Sequence, residues 1–176
     1  MSADSCGNSG ADGVGAGVNA GSPTVLECRR LEERWRSALG EFCHALELAG
    51  DSSMFHPHGF DDATLDELVR YSGHDLYYVM VAGPSVVGYG LLRGWDEGYA
   101  IPSLGIAIHP SCRRRGLGIA LIHFLHAAAS WRGASRIRLR VKENNLPAKT
   151  LYQRLGYSFG SQEERYLVGY KDLHVD

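Results

Sequence analysis

An arginine- and glycine-rich turn, Arg113–Gly118, joins a short apolar strand to an apolar helix within the segment Ser103–Ala129. Glycine lets the backbone approach a ligand closely, and the first amides of a helix have no partner within the helix. These amides also carry the positive end of the helix macrodipole, which favours a negatively charged ligand. The turn therefore predicts an anion site, and phosphate is the anion that such a site suits best.

The glycines of the turn support this prediction more strongly than its arginines do. Exposed arginine side chains are normally just solvated, so Arg113, Arg114 and Arg115 fit a solvated loop as well as a binding role. The backbone at Gly116 and Gly118 favours the binding interpretation. No Lys-Ser or Lys-Thr pair follows the last glycine of the turn, which excludes the P-loop of nucleoside triphosphatases.

Strands and helices alternate along the chain around this turn. Runs of apolar residues predict strands at 25–30, 76–81, 86–92, 104–108, 136–141, 157–159 and 166–170. Helical spacing predicts helices at 35–46, from Asp61 or Asp62 to near Gly73, at Gly116–Trp131, and after Asn144 or Asn145. The strands run in antiparallel groups around one crossover, with a hairpin at Gly83-Pro84. This order predicts an α/β (α+β) fold in which a mixed, largely antiparallel central sheet is flanked by helices.

Composition limits the class of protein. A chain of 176 residues with 44% hydrophobic residues is expected to form one domain, which we place at 24–176. Residues 1–23 are rich in Gly, Ser and Ala and have hardly any large apolar side chains, so we expect a disordered tail there. The formal net charge of -2 argues against a general nucleic-acid binder and against an anionic-membrane binder.

The cysteines and apolar segments bear on metal sites and location. Cys6, Cys28, Cys43 and Cys112 are scattered and form no CxxC pair, so we expect neither a zinc site nor a disulfide framework. No apolar run approaches the length of a membrane span, and the N-terminus lacks the basic and apolar regions of a signal peptide. We therefore expect a cytoplasmic protein.

Two blocks of sequence carry a family resemblance. Arg113–Gly118, placed after a strand, resembles the (Arg/Gln)-x-x-Gly-x-(Gly/Ala) signature of the GNAT superfamily of N-acetyltransferases. Downstream, Asn145 opens a helix, Tyr152 follows, and Gly156-Tyr157 begins the next strand, which resembles the second conserved block of that family. The resemblance covers roughly residues 76–159, and two blocks in the right order are far more specific than one. It implies the acyl-CoA N-acyltransferase (GNAT) fold.

The resemblance implies acetyl-CoA as the co-substrate, and we expect no metal. The pyrophosphate of acetyl-CoA would rest on the backbone amides of the turn, and the pantetheine arm would lie along Gly105–Ile108. A backbone amide near Ala107 or Ile108 would polarise the thioester carbonyl where two strands separate. The implied cofactor-binding residues are Ile106, Ala107, Ile108, Arg113, Arg114, Arg115, Gly116, Leu117, Gly118, Ile119, Asn145, Ala148 and Tyr152.

Acetyl transfer to an amine also needs an acid for the departing thiolate and a base for the amine. The resemblance implies Tyr152 as the acid, and a packed core tyrosine is the alternative. The central strand carries no carboxylate, so Asp96 and Glu97 in the preceding loop are candidates for the base. An exposed acidic turn is the alternative there. His56 and His58 form a second candidate group, because histidine titrates near neutrality.

The residues expected around the acetyl end combine aromatic faces with polar groups, which suit a small amine-bearing or polyhydroxylated acceptor. They are Phe55, His56, His58, Trp95, Tyr99 and Ser103. The segments Phe55–His58 and Gly94–Gly105 resemble, more loosely, GNAT members of amino-sugar and surface-polysaccharide pathways. This resemblance favours an amino sugar or a sugar nucleotide as the acceptor. A protein or peptide N-acetyltransferase and, in another class, a non-catalytic acyl-CoA sensor are the alternatives. We expect a monomer or homodimer with no nucleic-acid or membrane partner.

Overall fold

The computed structural model of the chain describes residues 25–173, so the tail expected at 1–23 lies outside the described residues. Within this range the strands are Leu26–Arg30 (β1), Leu76–Ala82 (β2), Ser85–Arg93 (β3), Ser103–Ile108 (β4), Arg136–Lys142 (β5), Ser158–Glu163 (β6) and Tyr166–Asp172 (β7). The α-helices are Arg36–Leu48 (α1), Asp62–Val69 (α2), Leu117–Trp131 (α3) and Leu146–Arg154 (α4). Short 3-10 turns lie at Glu33–Trp35, Asp51–Ser53 and Pro110–Cys112.

The strands form one seven-stranded sheet in the order β1-β2-β3-β4-β5-β7-β6. Every neighbouring pair is antiparallel except β4 and β5, which run parallel. Parallel strands need a crossover connection, and α3 provides it between β4 and β5. The prediction of a mixed, largely antiparallel sheet flanked by helices is confirmed.

The sheet separates two hydrophobic clusters, one on each face. On the face covered by α3 and α4, Leu121 of α3 is fully buried beside Ile137 of β5. On the other face, Phe42 of α1 is buried in a cluster with Tyr89 of β3. Because side chains alternate along a strand, the apolar residues of β5 face α3 and its arginines face the opposite side.

Helix α3 lies close to β3 because β3 has glycine beneath it. A Cβ atom at Gly90 would lie 3.0 Å from Leu125 Cδ1 and 3.2 Å from Leu121 Cδ1. Such a contact is tighter than ordinary van der Waals packing, so a larger residue would push α3 outward. The close packing fixes the start of α3, and with it the turn Arg113–Gly118, relative to the sheet.

Among the strands, β6 differs most from its prediction. The sequence predicts strands at 157–159 and 166–170, whereas β6 and β7 run over Ser158–Glu163 and Tyr166–Asp172. β6 continues through a register shift between Phe159 and Ser161 because β7 pairs with it on both sides of the shift. Such pairing depends on a strand that comes later in the chain, so the local pattern of β6 does not reveal it.

A buried histidine links α3 to the end of α4. His126 is 8% exposed, and its Nε2 lies 2.8 Å from the hydroxyl of Tyr157. Burial, with a smaller contribution from the positive charge of Lys171, lowers the pKa of His126 to about 4. The folded protein therefore keeps His126 neutral at pH values where an unfolded histidine, with a pKa of about 6.5, takes up a proton.

Protonation of His126 should favour unfolding. The stability that neutral His126 contributes is fully present above about pH 6.5 and is lost as the pH falls toward 4, by about 3 kcal/mol at pH 4. Urea unfolding at several pH values should show a smaller loss over this window in His126→Gln than in wild type. His123→Gln, at an exposed position on the same helix, is the control. The same pH dependence in wild type and His126→Gln would contradict this assignment.

Candidate active site

The parallel strands β4 and β5 pair over a short distance and then separate. Their register contains only Ser103↔Arg138 and Leu104↔Leu139, so the C-terminal half of β4 has no partner on the β5 side. A cavity of about 560 Å³ opens in this gap. The predicted cofactor residues that line it are Ile106, Ala107, Ile108, Arg113, Arg114, Gly118, Asn145, Ala148 and Tyr152.

The backbone of β4 directs amides into the gap. His109 N donates to Val87 O at 3.0 Å, and the register with β3 is unbroken along β4. Residues that bond to an antiparallel neighbour alternate with residues whose N–H points away from it. Ala107 is therefore bonded to β3, whereas the N–H groups of Ile106 and Ile108 point into the gap. Of the two amides expected to polarise the thioester carbonyl, that of Ile108 is available.

The arginine- and glycine-rich turn ends at the N-terminus of α3. Gly116, with φ of +79°, occupies the N-cap position, and no side chain caps the helix. The first helical bond is donated by Ala120 to Gly116 O, at 3.1 Å. The amides of residues 117–119 are thus unpaired at one end of the cavity, where they suit a diphosphate. The side chains of Arg115, Leu117 and Ile119 are not among the cavity-lining groups, so any role of these residues is through the backbone.

The arginines of the turn differ in their surroundings. The guanidinium of Arg113 forms an ion pair with Asp51, and its Nε donates to Ile108 O at 3.2 Å. Arg113 therefore ties the turn to the segment after α1. Arg114 lines the cavity and has φ of +59°, a left-handed conformation that is uncommon outside glycine. Of the two arginines of this turn that line the cavity, Arg114 is the one without an ion pair among residues 25–173, so its charge is available to a phosphate.

The second half of the cavity is built by α4. Asn145 caps this helix, because its Oδ1 accepts a hydrogen bond from Ala148 N at 3.2 Å. Tyr152 lies two turns further on, 8% exposed, with its ring 5.5 Å from that of Tyr157 in an edge-on arrangement. Burial raises the pKa of Tyr152 to about 12. Its hydroxyl therefore remains protonated throughout the physiological pH range.

A second cavity, of about 460 Å³, adjoins the first on the side of α1 and α2. The two cavities adjoin, because they share the lining residues Met54, Phe55, Leu104, Gly105 and Arg140. Of the residues predicted for acceptor binding or for the base, Phe55, His56, Glu97, Tyr99 and Ser103 line this second space. We call it the acceptor cavity.

Trp95 does not line the acceptor cavity. Its ring packs against the hydrophobic cluster on the α3 face, and the Arg132 guanidinium carbon lies 4.3 Å from the ring centroid. The cause is Asp75, which is 3% exposed and accepts from Gly94 N at 2.8 Å and Trp95 N at 2.9 Å. These bonds fix the loop with the indole turned away from the cavity. This placement does not support the predicted acceptor-binding role of Trp95.

Asp96 is also held outside the cavity. Its carboxylate accepts from the Tyr71 hydroxyl and from His74 N, the latter at 2.8 Å. These partners join the loop to the segment after α2, so Asp96 has a structural environment, whereas Glu97 faces the cavity. This placement does not support the predicted role of Asp96 as a base, and Glu97 is the acidic candidate that lines the cavity.

His58 supports the loop that carries His56. Its Nδ1 lies 2.7 Å from Gly59 O. A carbonyl oxygen can only accept a hydrogen bond, so Nδ1 carries the proton. Nε2 then accepts a hydrogen bond from the Tyr89 hydroxyl at 2.9 Å. Burial lowers the pKa of His58 and favours this neutral form. His58 does not line either of the two cavities, so its placement does not support the predicted binding or base role.

The acceptor cavity contains charged residues that the sequence analysis missed. Arg93, Arg138 and Arg140 line it together with Tyr166. The sequence does show basic residues at every second position of β5, and this spacing places them on one face of the strand. The pattern could therefore have predicted a basic strand face. Their position beside β4 depends on the sheet order, which the sequence pattern does not give.

Neither a metal centre nor a membrane span is seen in the part of the chain that the structure covers. Between residues 25 and 173 there is no group of three or more His, Cys, Asp or Glu side chains that could hold a metal ion. None of the helices described in that range is long and apolar enough to cross a membrane.

Comparison with known proteins identifies the family. The model of the acetyltransferase (GNAT) family matches residues 41–157, about two thirds of the chain. This match includes the gap between β4 and β5, the turn before α3, and α4. It begins well before the region 76–159 in which the sequence motifs were recognised.

Solved structures share the fold at low sequence identity. PaiA N-acetyltransferase from Thermoplasma acidophilum, solved in complex with coenzyme A, matches with a TM-score of 0.70 at 15% identity over 84% of this chain and 99% of that one. A GCN5-related N-acetyltransferase from Kribbella flavida matches with a TM-score of 0.69 at 22% identity over 84% and 98%. The ribosomal-protein-S18-alanine N-acetyltransferase from Escherichia coli matches with a TM-score of 0.65 at 16% identity over 86% and 96%. The chain belongs to the GNAT family and is an N-acetyltransferase that uses acetyl-CoA.

Proposed function

We propose that this enzyme acetylates a primary amine of a small molecule, and that an amino sugar or a sugar nucleotide is the best candidate acceptor. The observation that carries this proposal is the acceptor cavity of about 460 Å³, which shares lining residues with the cavity in the gap between β4 and β5. Small-molecule sites typically measure about 300–1,000 Å³. Aromatic residues and polar groups line it together, as a polyhydroxylated acceptor requires.

Each chemical requirement of the reaction has a candidate group. Acetyl-CoA supplies the acetyl group as a thioester. The Ile108 N–H is directed to polarise a carbonyl in the gap, and the Tyr152 hydroxyl holds the proton for the departing thiolate. Glu97, on the acceptor side, would take the proton from the amine. His56 lines the same cavity and is the second candidate for the base.

The base is tested by Glu97→Gln. Its kcat/KM should fall by about 100-fold near neutral pH, because the amine must then reach the neutral form without help. The variant should continue to gain activity as the pH approaches the pKa of the acceptor amine, whereas wild type levels off at a lower pH. Both effects are measured by initial rates of CoA release between about pH 6 and pH 10, the range in which amines lose their proton.

His56→Gln separates the two candidates for the base. If Glu97 is the base, this variant changes KM for the acceptor more than the shape of the pH profile. A pH profile altered in His56→Gln and unchanged in Glu97→Gln would assign the base to His56 and contradict the role of Glu97.

A peptide α-amine is the second candidate acceptor. It is supported by the fold shared with the Escherichia coli enzyme, which by its name acts on an alanine of ribosomal protein S18. A panel of amino sugars, sugar nucleotides, polyamines, amino acids and short peptides, followed by CoA release and mass spectrometry, distinguishes the two. Acetylation of amino sugars or their nucleotides supports the first proposal. Acetylation confined to peptides overturns it.

A further inference from the structure

The acceptor cavity presents an unequal set of charges. The guanidinium groups of Arg93, Arg138 and Arg140 line it, whereas Glu97 is the one carboxylate among the lining residues that the structure describes. A substrate in this cavity therefore meets mainly positively charged hydrogen-bond donors. Their individual partners show how much of that charge is left for a ligand.

The guanidinium group of Arg138 has hydrogen-bond donors that the protein does not fully use. Its Nε–H is buried and has no hydrogen-bond partner among residues 25–173. Its Nη2 lies 3.4 Å from the nearer oxygen of Glu163, at the long end of hydrogen-bond distances. A buried donor without a partner costs free energy, and a guanidinium offers five donors in a planar fork. A ligand that offers a hydrogen-bond acceptor to Arg138 would therefore be stabilised by it.

Arg140 shares the same carboxylate. Its Nε lies 3.4 Å from the other oxygen of Glu163, and its guanidinium carbon lies 4.5 Å from the centroid of the Tyr166 ring. One carboxylate thus serves two guanidinium groups at distances that leave both incompletely neutralised. The ring of Tyr166 holds Arg140 in place at the junction of the two cavities.

Arg93 is more fully engaged by the protein. Its Nη1 donates to Pro57 O at 2.7 Å, and its Nε lies 3.9 Å from Asp75 Oδ2. It ties the loop of His56 to the end of β3 and adds positive potential to the cavity. The donors available for a ligand are therefore mainly those of Arg138 and Arg140.

We propose that the acceptor carries an anionic oxygen group, a carboxylate or a phosphate, which binds Arg138 and Arg140 while its amine faces Glu97. This inference rests on the proposed function and narrows its substrate class to anionic amines. Planar guanidinium groups match both carboxylate and phosphate oxygens. The partly buried position of Arg138 strengthens its interaction with such a group. An uncharged acceptor would leave the Arg138 Nε–H without a partner of matching charge.

The test compares pairs of amines that differ only in the anionic group. An amino sugar is paired with its phosphate ester, and an amino acid with its amide. The anionic member should have a kcat/KM higher by about 10- to 100-fold, the effect of one or two charge-assisted hydrogen bonds. The phosphate pair and the carboxylate pair show which of the two anions the site prefers.

Variants of β5 assign the preference to its arginines. Arg138→Met should abolish most of the preference without changing KM for acetyl-CoA, because Arg138 lines only the acceptor cavity. Arg140→Met should weaken it as well. Arg136→Met is the matched control: Arg136 lies on the same face of β5, pairs with Asp172 at 3.1 Å, and stacks on Tyr170 outside the cavity. Thermal unfolding of each variant checks that the fold is retained.

The outcomes separate this inference from the proposed function. Equal kcat/KM within each pair, or a preference unchanged in Arg138→Met, overturns the inference and leaves small-molecule acetylation standing. If no amine in the panel is acetylated, the proposed function fails, and calorimetry with inorganic phosphate on CoA-saturated protein decides the inference separately. Phosphate binding lost in Arg138→Met and kept in Arg136→Met supports the anion site. Absent binding, or binding equal in all variants, overturns it.

Discussion

Tyr152→Phe is expected to lower kcat by about 1,000-fold while leaving the affinity for CoA and the fold intact. Tyr152 lines the cavity between β4 and β5, and burial raises the pKa of its hydroxyl to about 12, so the hydroxyl stays protonated. A protonated phenol fits the acid role that we propose for Tyr152. Phenylalanine keeps the edge-on packing against Tyr157, so the change removes only the oxygen.

Steady-state rates of CoA release and calorimetric CoA binding measure this effect. Tyr157→Phe is the matched control, because the Tyr157 hydroxyl bonds to His126 within the core and Tyr157 is not among the cavity-lining residues. It should lower stability and leave kcat near the wild-type value. A Tyr152→Phe protein that folds, binds CoA and turns over at the wild-type rate would refute the acid role.

Gly118→Val is expected to raise the dissociation constant of CoA on the order of 500-fold. A Cβ atom at Gly118 would lie 3.8 Å from Ile108 Cγ1 and 3.9 Å from Ile106 Cδ1, which are ordinary contacts, so the fold has room for a Cβ atom at this position. The added methyl groups would stand in the cavity beside the unpaired amides of α3. They would keep the diphosphate from at least two charge-assisted bonds, each worth about 1.5–3 kcal/mol.

Calorimetric titration with CoA measures the effect of Gly118→Val. Ala120→Val is the control, because Ala120 is exposed in the same helix and does not line the cavity. Equal CoA affinity in Gly118→Val and Ala120→Val would mean that the diphosphate does not rest on the start of α3.

The donor half of the site was predictable from sequence because it is local and largely backbone. The turn Arg113–Gly118, the cap at Asn145 and the position of Tyr152 each depend on a few neighbouring residues, and helix starts are well marked by such signals. The separation of β4 from β5 was only expected from the resemblance. It depends on pairing between strands that are far apart in the chain.

The acceptor half was predicted less well because its side chains are oriented by distant partners. The buried carboxylate of Asp75 turns Trp95 toward α3, and the Tyr89 hydroxyl holds His58. Neither partner is a sequence neighbour of the residue it orients. Arg138 and Arg140 were missed for a related reason. Their strand β5 is next to β4 in the sheet, but α3 separates the two strands in the chain.

The most direct test of the proposed site is a crystal structure with CoA and an N-acetylated amino-sugar phosphate as the product pair. We expect the diphosphate on the amides at the start of α3 and the thiol within hydrogen-bond reach of Tyr152 Oη. We also expect the acetamide between the Ile108 N–H and Glu97. CoA bound away from the gap between β4 and β5, or a product outside the acceptor cavity, would contradict the proposed site.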